Sequence, residues 1–143
     1  MTQAPTLNGQ VIGQAERATR AVLDVLLAET NTPFVNWVAL NLTAAQGEIP
    51  VGALVDQVVS GLRIEESAAR SAIDDLVHES LVTVTDRVRL TPAGLERYQR
   101  ISDGIGEITR RLYRDLPHDD LVVARRVLET LTDRARAELA STS

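Results

Sequence analysis

The sequence predicts a mainly α-helical protein with a small β-hairpin wing, arranged as a winged helix-turn-helix between long N- and C-terminal helices. Residues 50–79 hold two segments of helical periodicity separated by a short turn. In residues 82–90, apolar and polar residues alternate on both sides of a tight turn, which indicates a β-hairpin. A hairpin directly after the second of two helices forms the wing of a winged helix.

The composition restricts the core and the kinds of site that the chain can form. Of the 143 residues, 44% are hydrophobic and 3% are aromatic, so the core is expected to consist of Leu, Val, Ile and Ala. Cysteine is absent, which excludes disulfides, thiol redox sensors and cysteine-ligated zinc. No secretory signal or apolar stretch of membrane-spanning length is visible, so we expect a cytoplasmic protein without membrane contact.

Two helices are predicted before the helix-turn-helix. The apolar residues of segment 7–29 cover more than one helix face, so this helix needs more than one packing partner, such as another subunit. Thr32 is the expected N-cap of a second helix, 34–46, with Pro33 at its first position and Gly47 at its end. Its inward-facing residues are expected to be Phe34, Trp37, Val38, Ala39 and Leu42.

The helix-turn-helix and the wing follow. A helix over 51–59 and a turn at Ser60-Gly61 lead to a helix over 65–79. The buried stripe of that second helix is expected to be Ala69, Ala72, Ile73, Leu76 and Val77. In the hairpin, Val82, Val84, Val88 and Leu90 form the apolar face. Thr91 and Pro92 then start a long helix to about residue 114, and Leu116-Pro117 separates it from a last helix over 118–139.

Within this frame the sequence resembles the multiple-antibiotic-resistance regulator (MarR) family of winged-helix transcription factors. The motifs that carry the resemblance are Leu54-Val55, the segment from Leu76 to Leu81-Val82, Leu90-Thr91-Pro92-Ala93-Gly94, and Asp74 in the second helix. The chain departs from the family pattern in a longer turn region, a shorter wing, Ser80 in place of a Gly, and a wing tip reduced to Asp86-Arg87.

The resemblance implies that the whole chain, 1–143, is one subunit of a homodimer. Residues 33–95 would then form the DNA-binding lobe, and the helices of 7–30 and 96–140 would interlock with the partner. The expected partner is a pseudo-palindromic operator in duplex DNA, with repression the commoner outcome in the family. Many members also release DNA when a small anionic or aromatic effector binds.

Expected DNA contacts lie in the turn, in the second helix and in the wing. The N-terminal residues of a recognition helix approach the bases and phosphates, but here the helix begins with Glu65 and Glu66. These carboxylates either oppose phosphate binding, accept a hydrogen bond from cytosine, or point away from DNA. The predicted contacts are Arg63 to phosphate, Arg70 to a base, Ser67 and Ser71 beside it, and Arg87 and Arg89 on the wing.

Each of these Arg residues has an alternative interpretation. Arg63 and Arg70 are equally compatible with ordinary solvated side chains, and Arg87 and Arg89 with the charge that protects a strand edge. The net charge is −5, and Arg is the sole cationic residue type. DNA binding therefore depends on whether positive charge is concentrated on one surface. By the resemblance, Arg17 and Arg20 would hold an anionic effector in a pocket lined by Trp37, although Trp37 is equally suited to the core.

No pattern for chemistry is found. His78 and His118 lack metal-ligand spacing, and neither a nucleophile motif nor a Gly-rich phosphate loop is present, so we expect no enzyme activity, metal or cofactor. Two functions remain. The first is a homodimeric regulator that binds duplex DNA. The second is a winged-helix dimer that has weak or no DNA binding and acts through protein or ligand contacts.

Overall fold

The computed structural model describes residues 5–142, which form two compact units, 5–106 and 107–142. The helices are α1 (Gly9–Ala28), α2 (Phe34–Gln46), α3 (Val51–Leu62), α4 (Glu66–His78), α5 (Pro92–Leu112) and α6 (His118–Thr142). The strands are β1 (Glu48–Pro50), β2 (Val82–Val84) and β3 (Arg87–Leu90). The unit boundary falls within α5. The mainly α-helical winged-helix class is therefore confirmed.

The wing belongs to a three-stranded antiparallel sheet with strand order β1-β3-β2. The predicted hairpin is confirmed, with Val82 opposite Leu90 and Val84 opposite Val88. Strand β1 was not predicted. It has three residues between Gly47 and the start of α3, too few for a pattern of alternation. Its Glu48 pairs with Arg89 and its Ile49 with Val88, so the strand exists through contacts to residues far along the chain.

The core of the first unit consists mainly of aliphatic side chains from its helices and strands, as the composition predicts. Leu40, Leu54, Leu76 and Val88 are fully buried, and they come from α2, α3, α4 and β3. The predicted stripe of α4 is buried except for Val77, which lies at the C-terminal end of the helix and is exposed. Val84, at the end of β2, is also exposed, so the apolar face of the hairpin is shorter than predicted.

The turn between α3 and α4 lies later than predicted. Helix α3 continues through Ser60 and Gly61 to Leu62, and the chain reverses at Arg63. Arg63 has left-handed backbone angles (φ 53°, ψ 51°), and its N–H donates to the carbonyl of Val59. Ser60 and Gly61 are compatible with helical angles, so the helix ends only where a residue leaves the right-handed region.

The prediction for the start of α2 was wrong. The N-cap is Pro33, whose ψ of 153° is extended, and its carbonyl accepts the first helical hydrogen bond from Trp37. Thr32 is instead buried, with its hydroxyl 2.8 Å from that of Thr30 and 3.1 Å from the donating Nη1 of Arg97. Thr32 is thus occupied by a contact with α5 that local sequence does not reveal.

Hydrogen bonds connect the start of α5 to the residues that follow α4. Thr91 caps the helix as predicted, because its hydroxyl accepts a hydrogen bond from Gly94 N–H at 3.0 Å. The same hydroxyl donates to the carbonyl of Ser80 at 2.7 Å, and the backbone N–H of Thr91 donates to the carbonyl of Leu81 at 3.0 Å. The residues that precede the β2-β3 hairpin and those that follow it are therefore hydrogen-bonded to each other.

Ser80 is strained at this point, because its φ is +60° and side-chain-bearing residues disfavour left-handed angles. We expect Ser80→Gly to raise the free energy of unfolding by about 0.5–1 kcal/mol, after subtraction of the extra entropy that Gly has in the unfolded chain. Urea denaturation at fixed protein concentration measures the change. Ser60→Gly, at an exposed helical position of α3, is the matched control and should lower stability by about 0.5 kcal/mol. A loss of stability in Ser80→Gly would contradict the assignment of strain.

Candidate nucleic-acid interface

Helix α4 has one buried face and one exposed face. Ala69, Ala72, Ile73 and Leu76 pack against α2 and α3. On the opposite face, Ser67, Arg70 and Ser71 are exposed, and their spacing of three and four residues places them together. The predicted contact residues of the second helix therefore share one solvent-facing surface, as a recognition helix requires.

Arg70 on this surface forms an ion pair with the preceding turn of its own helix. Its Nη2 lies 3.5 Å from Oε1 of Glu66, and the two side chains are 53% and 64% exposed. Glu65 is the N-cap residue, but its side chain makes no capping hydrogen bond. The carboxylate of Glu66, in the first turn of α4, thus offsets the positive charge of Arg70, the expected base contact.

Arg63 differs from Arg70 in its electrostatic setting. It lies at the exposed turn between α3 and α4, where the left-handed backbone holds it outside both helices. Within residues 5–142 it forms no ion pair. Its guanidinium is therefore available to an external anion.

The two Arg residues of the wing share one carboxylate. Oε1 of Glu48 lies 3.9 Å from Nε of Arg87, and Oε2 accepts a hydrogen bond from Nη2 of Arg89. The shared partner agrees with the prediction that both side chains lie on one face of β3. Sequence reasoning missed Glu48, because its role depends on the unpredicted strand β1.

The lobe that contains these Arg residues is acidic overall. Residues 33–95 hold four Arg against eight Asp and Glu, a net charge of −4. Three of the four Arg, at positions 70, 87 and 89, are paired with carboxylates. Any attraction to a polyanion must therefore come from where these cations lie and not from the total charge.

The three residues expected to bind an effector have separate contacts. Trp37 is buried and stacks on Tyr98, with ring centroids 5.8 Å apart and an interplanar angle of 16°. The guanidinium carbon of Arg20 lies 3.5 Å from the ring centroid of Phe34, and Arg20 also pairs with Glu16 and Asp24. Arg17 is exposed on α1. The structure thus gives Trp37 a place in the core and Arg20 existing partners.

A cleft of about 440 Å³ lies beside the stacked aromatic pair, between the end of α2 and the start of α5. Its lining is mainly apolar and consists of Ala44, Gly47, Leu90, Thr91, Pro92, Leu95 and Tyr98. A second cleft of about 370 Å³ lies at the junction of α1 and α2 and includes Phe34, the ring beneath Arg20. These clefts are of a size that admits small aromatic molecules.

The second unit carries an exposed apolar helix. No residue described for α6 is buried, although Val122, Val123, Val127, Leu128 and Leu131 are among its side chains. A hollow of about 590 Å³ next to Tyr113 is lined by Leu121, Ala124 and Leu128 together with polar residues of α6. Arg125 donates a hydrogen bond to Glu129 at 2.6 Å, which raises the pKa of its guanidinium.

Two further properties of residues 5–142 bear on function. They contain no group of three or more His, Cys, Asp and Glu side chains placed to hold a metal ion. None of the helices in this part of the chain combines the length and the apolar character needed to cross a membrane.

No protein-family model matches the sequence, and no curated protein matches it. Solved structures do match. A MarR-family transcriptional regulator from Silicibacter pomeroyi is 22% identical with a TM-score of 0.77, and the match covers 91% of this chain and 90% of that one. The reduced form of MarR from E. coli is 16% identical with a TM-score of 0.69, covering 90% and 95%.

A third similar structure is BpsR of Bordetella bronchiseptica, whose DNA binding is regulated by 6-hydroxynicotinic acid. It is 20% identical with a TM-score of 0.71, and the match covers 90% of this chain and 99% of BpsR. The structures similar to this chain thus include MarR-family transcriptional regulators, and at least one is controlled by a small molecule. At these identities the likeness concerns the fold. The chain has the winged-helix fold of the MarR-family transcriptional regulators.

Proposed function

We propose that this protein is a homodimeric transcriptional regulator that binds a pseudo-palindromic operator in duplex DNA and performs no chemistry. The observation that carries the proposal is the exposed face of α4, followed directly by the β2-β3 wing. A helix of this kind enters the major groove while a wing lies along the adjacent backbone. The shared fold with MarR-family regulators over about 90% of the chain supports it.

In the proposed complex each cation has its own role. Arg70 reads a guanine edge, flanked by Ser67 and Ser71, and Arg63 binds a phosphate beside the start of α4. Arg87 and Arg89 bind the backbone next to the groove. Phosphate contacts set the register and the affinity, whereas the contact of Arg70 sets sequence preference.

We propose that a second copy of the chain covers the apolar surfaces of the terminal helices, in regions 7–30 and 96–140, and leaves residues 33–95 as the DNA-binding lobe. Val25 on α1 is 73% exposed in the single chain, and α6 exposes a row of Val and Leu. Exposed apolar surface of this extent indicates an interface. The protomers would then present two α4 helices to two operator half-sites.

Release by a small anionic or aromatic effector is part of the proposal, supported by the mainly apolar cleft near Tyr98 and the smaller cleft near Phe34. Arg17 is the freer of the two proposed anion partners, because Arg20 already lies between two carboxylates. Trp37 would act through its stack with Tyr98, which lines the larger cleft.

A second candidate function is a winged-helix dimer that acts through protein or ligand contacts with little DNA binding. The ion pairs of Arg70, Arg87 and Arg89 and the net charge of −4 in residues 33–95 favour it. Fluorescence anisotropy with the DNA upstream of the gene, against bulk competitor over a series of salt concentrations, separates the two. Regulation through DNA requires tighter binding than the competitor and a negative slope of log K against log salt. Equal binding of both DNAs at low salt would leave the second function.

Arg70→Ala tests the proposed base contact. We expect it to weaken operator binding by about 1–3 kcal/mol, because a bidentate Arg–guanine contact contributes that much discrimination, and to leave binding to bulk DNA much less affected. The same anisotropy titration measures both affinities. Arg100→Ala, which removes the same charge from an exposed position of α5, is the control. Equal losses in the two variants would exclude Arg70 from sequence readout.

A further inference from the structure

Glu48 lies at the edge of the wing sheet in a position that contacts both wing cations. Strand β3 is the central strand, β1 lies on one side of it, and Glu48 stands directly opposite Arg89 in the register. Each oxygen of the Glu48 carboxylate faces a different guanidinium, that of Arg87 at 3.9 Å and that of Arg89 in a hydrogen bond. One carboxylate therefore holds two Arg side chains on the same face.

This group is still accessible to a ligand. The side chain of Glu48 is 40% exposed, those of Arg87 and Arg89 are 48% and 66% exposed, and the group keeps one net positive charge. Ion pairs this exposed contribute little to the stability of the fold. Their larger effect is on an approaching anion, which meets one net charge instead of two.

We propose that Glu48 limits the strength with which the wing binds DNA phosphates, by fixing Arg87 and Arg89 and neutralising half of their charge. The inference rests on the proposed DNA binding and adds a residue that lies outside both the recognition helix and the β2-β3 hairpin. Phosphates must compete with a carboxylate that is already in place. Loss of that carboxylate should therefore raise DNA affinity, in contrast to the loss of the Arg residues themselves.

The test compares five proteins by the salt-dependent DNA titration. They are the wild type, Glu48→Gln, Glu96→Gln, the double variant Arg87→Gln/Arg89→Gln, and Glu48→Gln combined with that double variant. Gln at position 48 keeps one hydrogen-bond acceptor for Arg89, removes the charge, and replaces the second carboxylate oxygen with an NH2 group. Glu96 is exposed at the start of α5 and serves as the control, because its replacement changes the net charge equally. Thermal denaturation verifies that each variant is folded.

We expect Glu48→Gln to steepen the slope of log K against log salt by about 0.9 for each wing in contact, which corresponds to roughly eightfold tighter binding per wing at 0.1 M salt. Glu96→Gln should change both values much less. In the background without the two Arg residues, the gain from Glu48→Gln should disappear, since non-additivity of this kind identifies a direct coupling.

The outcomes separate the inference from the proposed function. If the wild type binds its upstream DNA specifically and Glu48→Gln matches Glu96→Gln, DNA binding stands and the role of Glu48 is overturned. If the gain persists without Arg87 and Arg89, Glu48 acts through total charge and the inference is also overturned. If no variant binds duplex DNA, the proposed function fails and this inference fails with it. A gain that requires both Arg residues supports the inference.

Discussion

We expect Gly94→Ala to lower the free energy of unfolding by about 3 kcal/mol, the upper end of the usual cost of forcing extra atoms into a packed site. A Cβ at Gly94 would lie 1.9 Å from the carbonyl oxygen of Leu81, which is backbone and cannot rotate away. That carbonyl also accepts the N–H of Thr91, so its displacement would disturb the junction of α4, the wing and α5. Circular dichroism during thermal denaturation should show a decrease in Tm of roughly 6–12 °C.

Gly52→Ala is the matched control for this substitution. Gly52 lies in the first turn of α3 with nothing within 4 Å of its Cβ position, so Ala should be neutral or stabilise by up to about 1 kcal/mol. Both variants should be compared at one protein concentration, since the stability of an oligomer depends on concentration. Equal Tm values for Gly94→Ala and wild type would mean that the close approach of α5 to Leu81 does not exist in solution.

The second large effect is expected for Leu131→Asp on α6. Leu131 is 42% exposed in the single chain, and under the proposed function it lies in the interface with a second copy. A buried carboxylate without a partner is strongly unfavourable, so the variant should be monomeric. Two linked binding modules bind about 10²–10⁴ times more tightly than one. The monomer has one DNA-binding lobe instead of two, so its operator affinity should be lower by at least about 100-fold. Analytical ultracentrifugation and the anisotropy titration measure the two effects.

Thr130→Asp adds the same charge one residue away, where three of the four neighbouring positions on the helix face are charged (Arg126, Asp133 and Arg134) and the fourth is Val127. It should remain dimeric and bind DNA like the wild type. A Leu131→Asp protein that stays dimeric would exclude this part of α6 from the interface. A monomeric protein with unchanged operator affinity would instead contradict the need for two half-sites.

Local sequence was sufficient for much of the fold because its signals are periodic or steric. The 3.6-residue period placed α4, and its exposed face follows from the burial of Ala69, Ala72 and Ile73. Gly47 was correctly predicted to end α2, where its φ is +78°. The position of the turn before α4 was not predictable, because Ser60 and Gly61 tolerate helix and only Arg63 leaves it.

For the predicted contact residues, too, some properties could be predicted from the sequence and others could not. Their exposure followed from the pattern, but their charge environment did not. The pair of Arg70 with Glu66 is local, at a spacing of four, and could be anticipated from helix geometry. The pairing of Arg87 and Arg89 with Glu48 spans about forty residues and requires β1 to lie beside β3. Alternation within a strand shows which residues share a face, but not which strand lies next to it.

The sequence by itself thus determined the order of the helices and of the β2-β3 hairpin, the winged-helix class and most of the side chains presented to solvent, because these depend on neighbours within a few residues. Only the tertiary structure decided what those side chains meet. Three contacts each join residues more than ten positions apart: the pairing of Glu48 with Arg89, the close approach of Gly94 to Leu81, and the stack of Trp37 on Tyr98. Such contacts depend on how whole elements pack, and packing depends on the complete set of buried side chains.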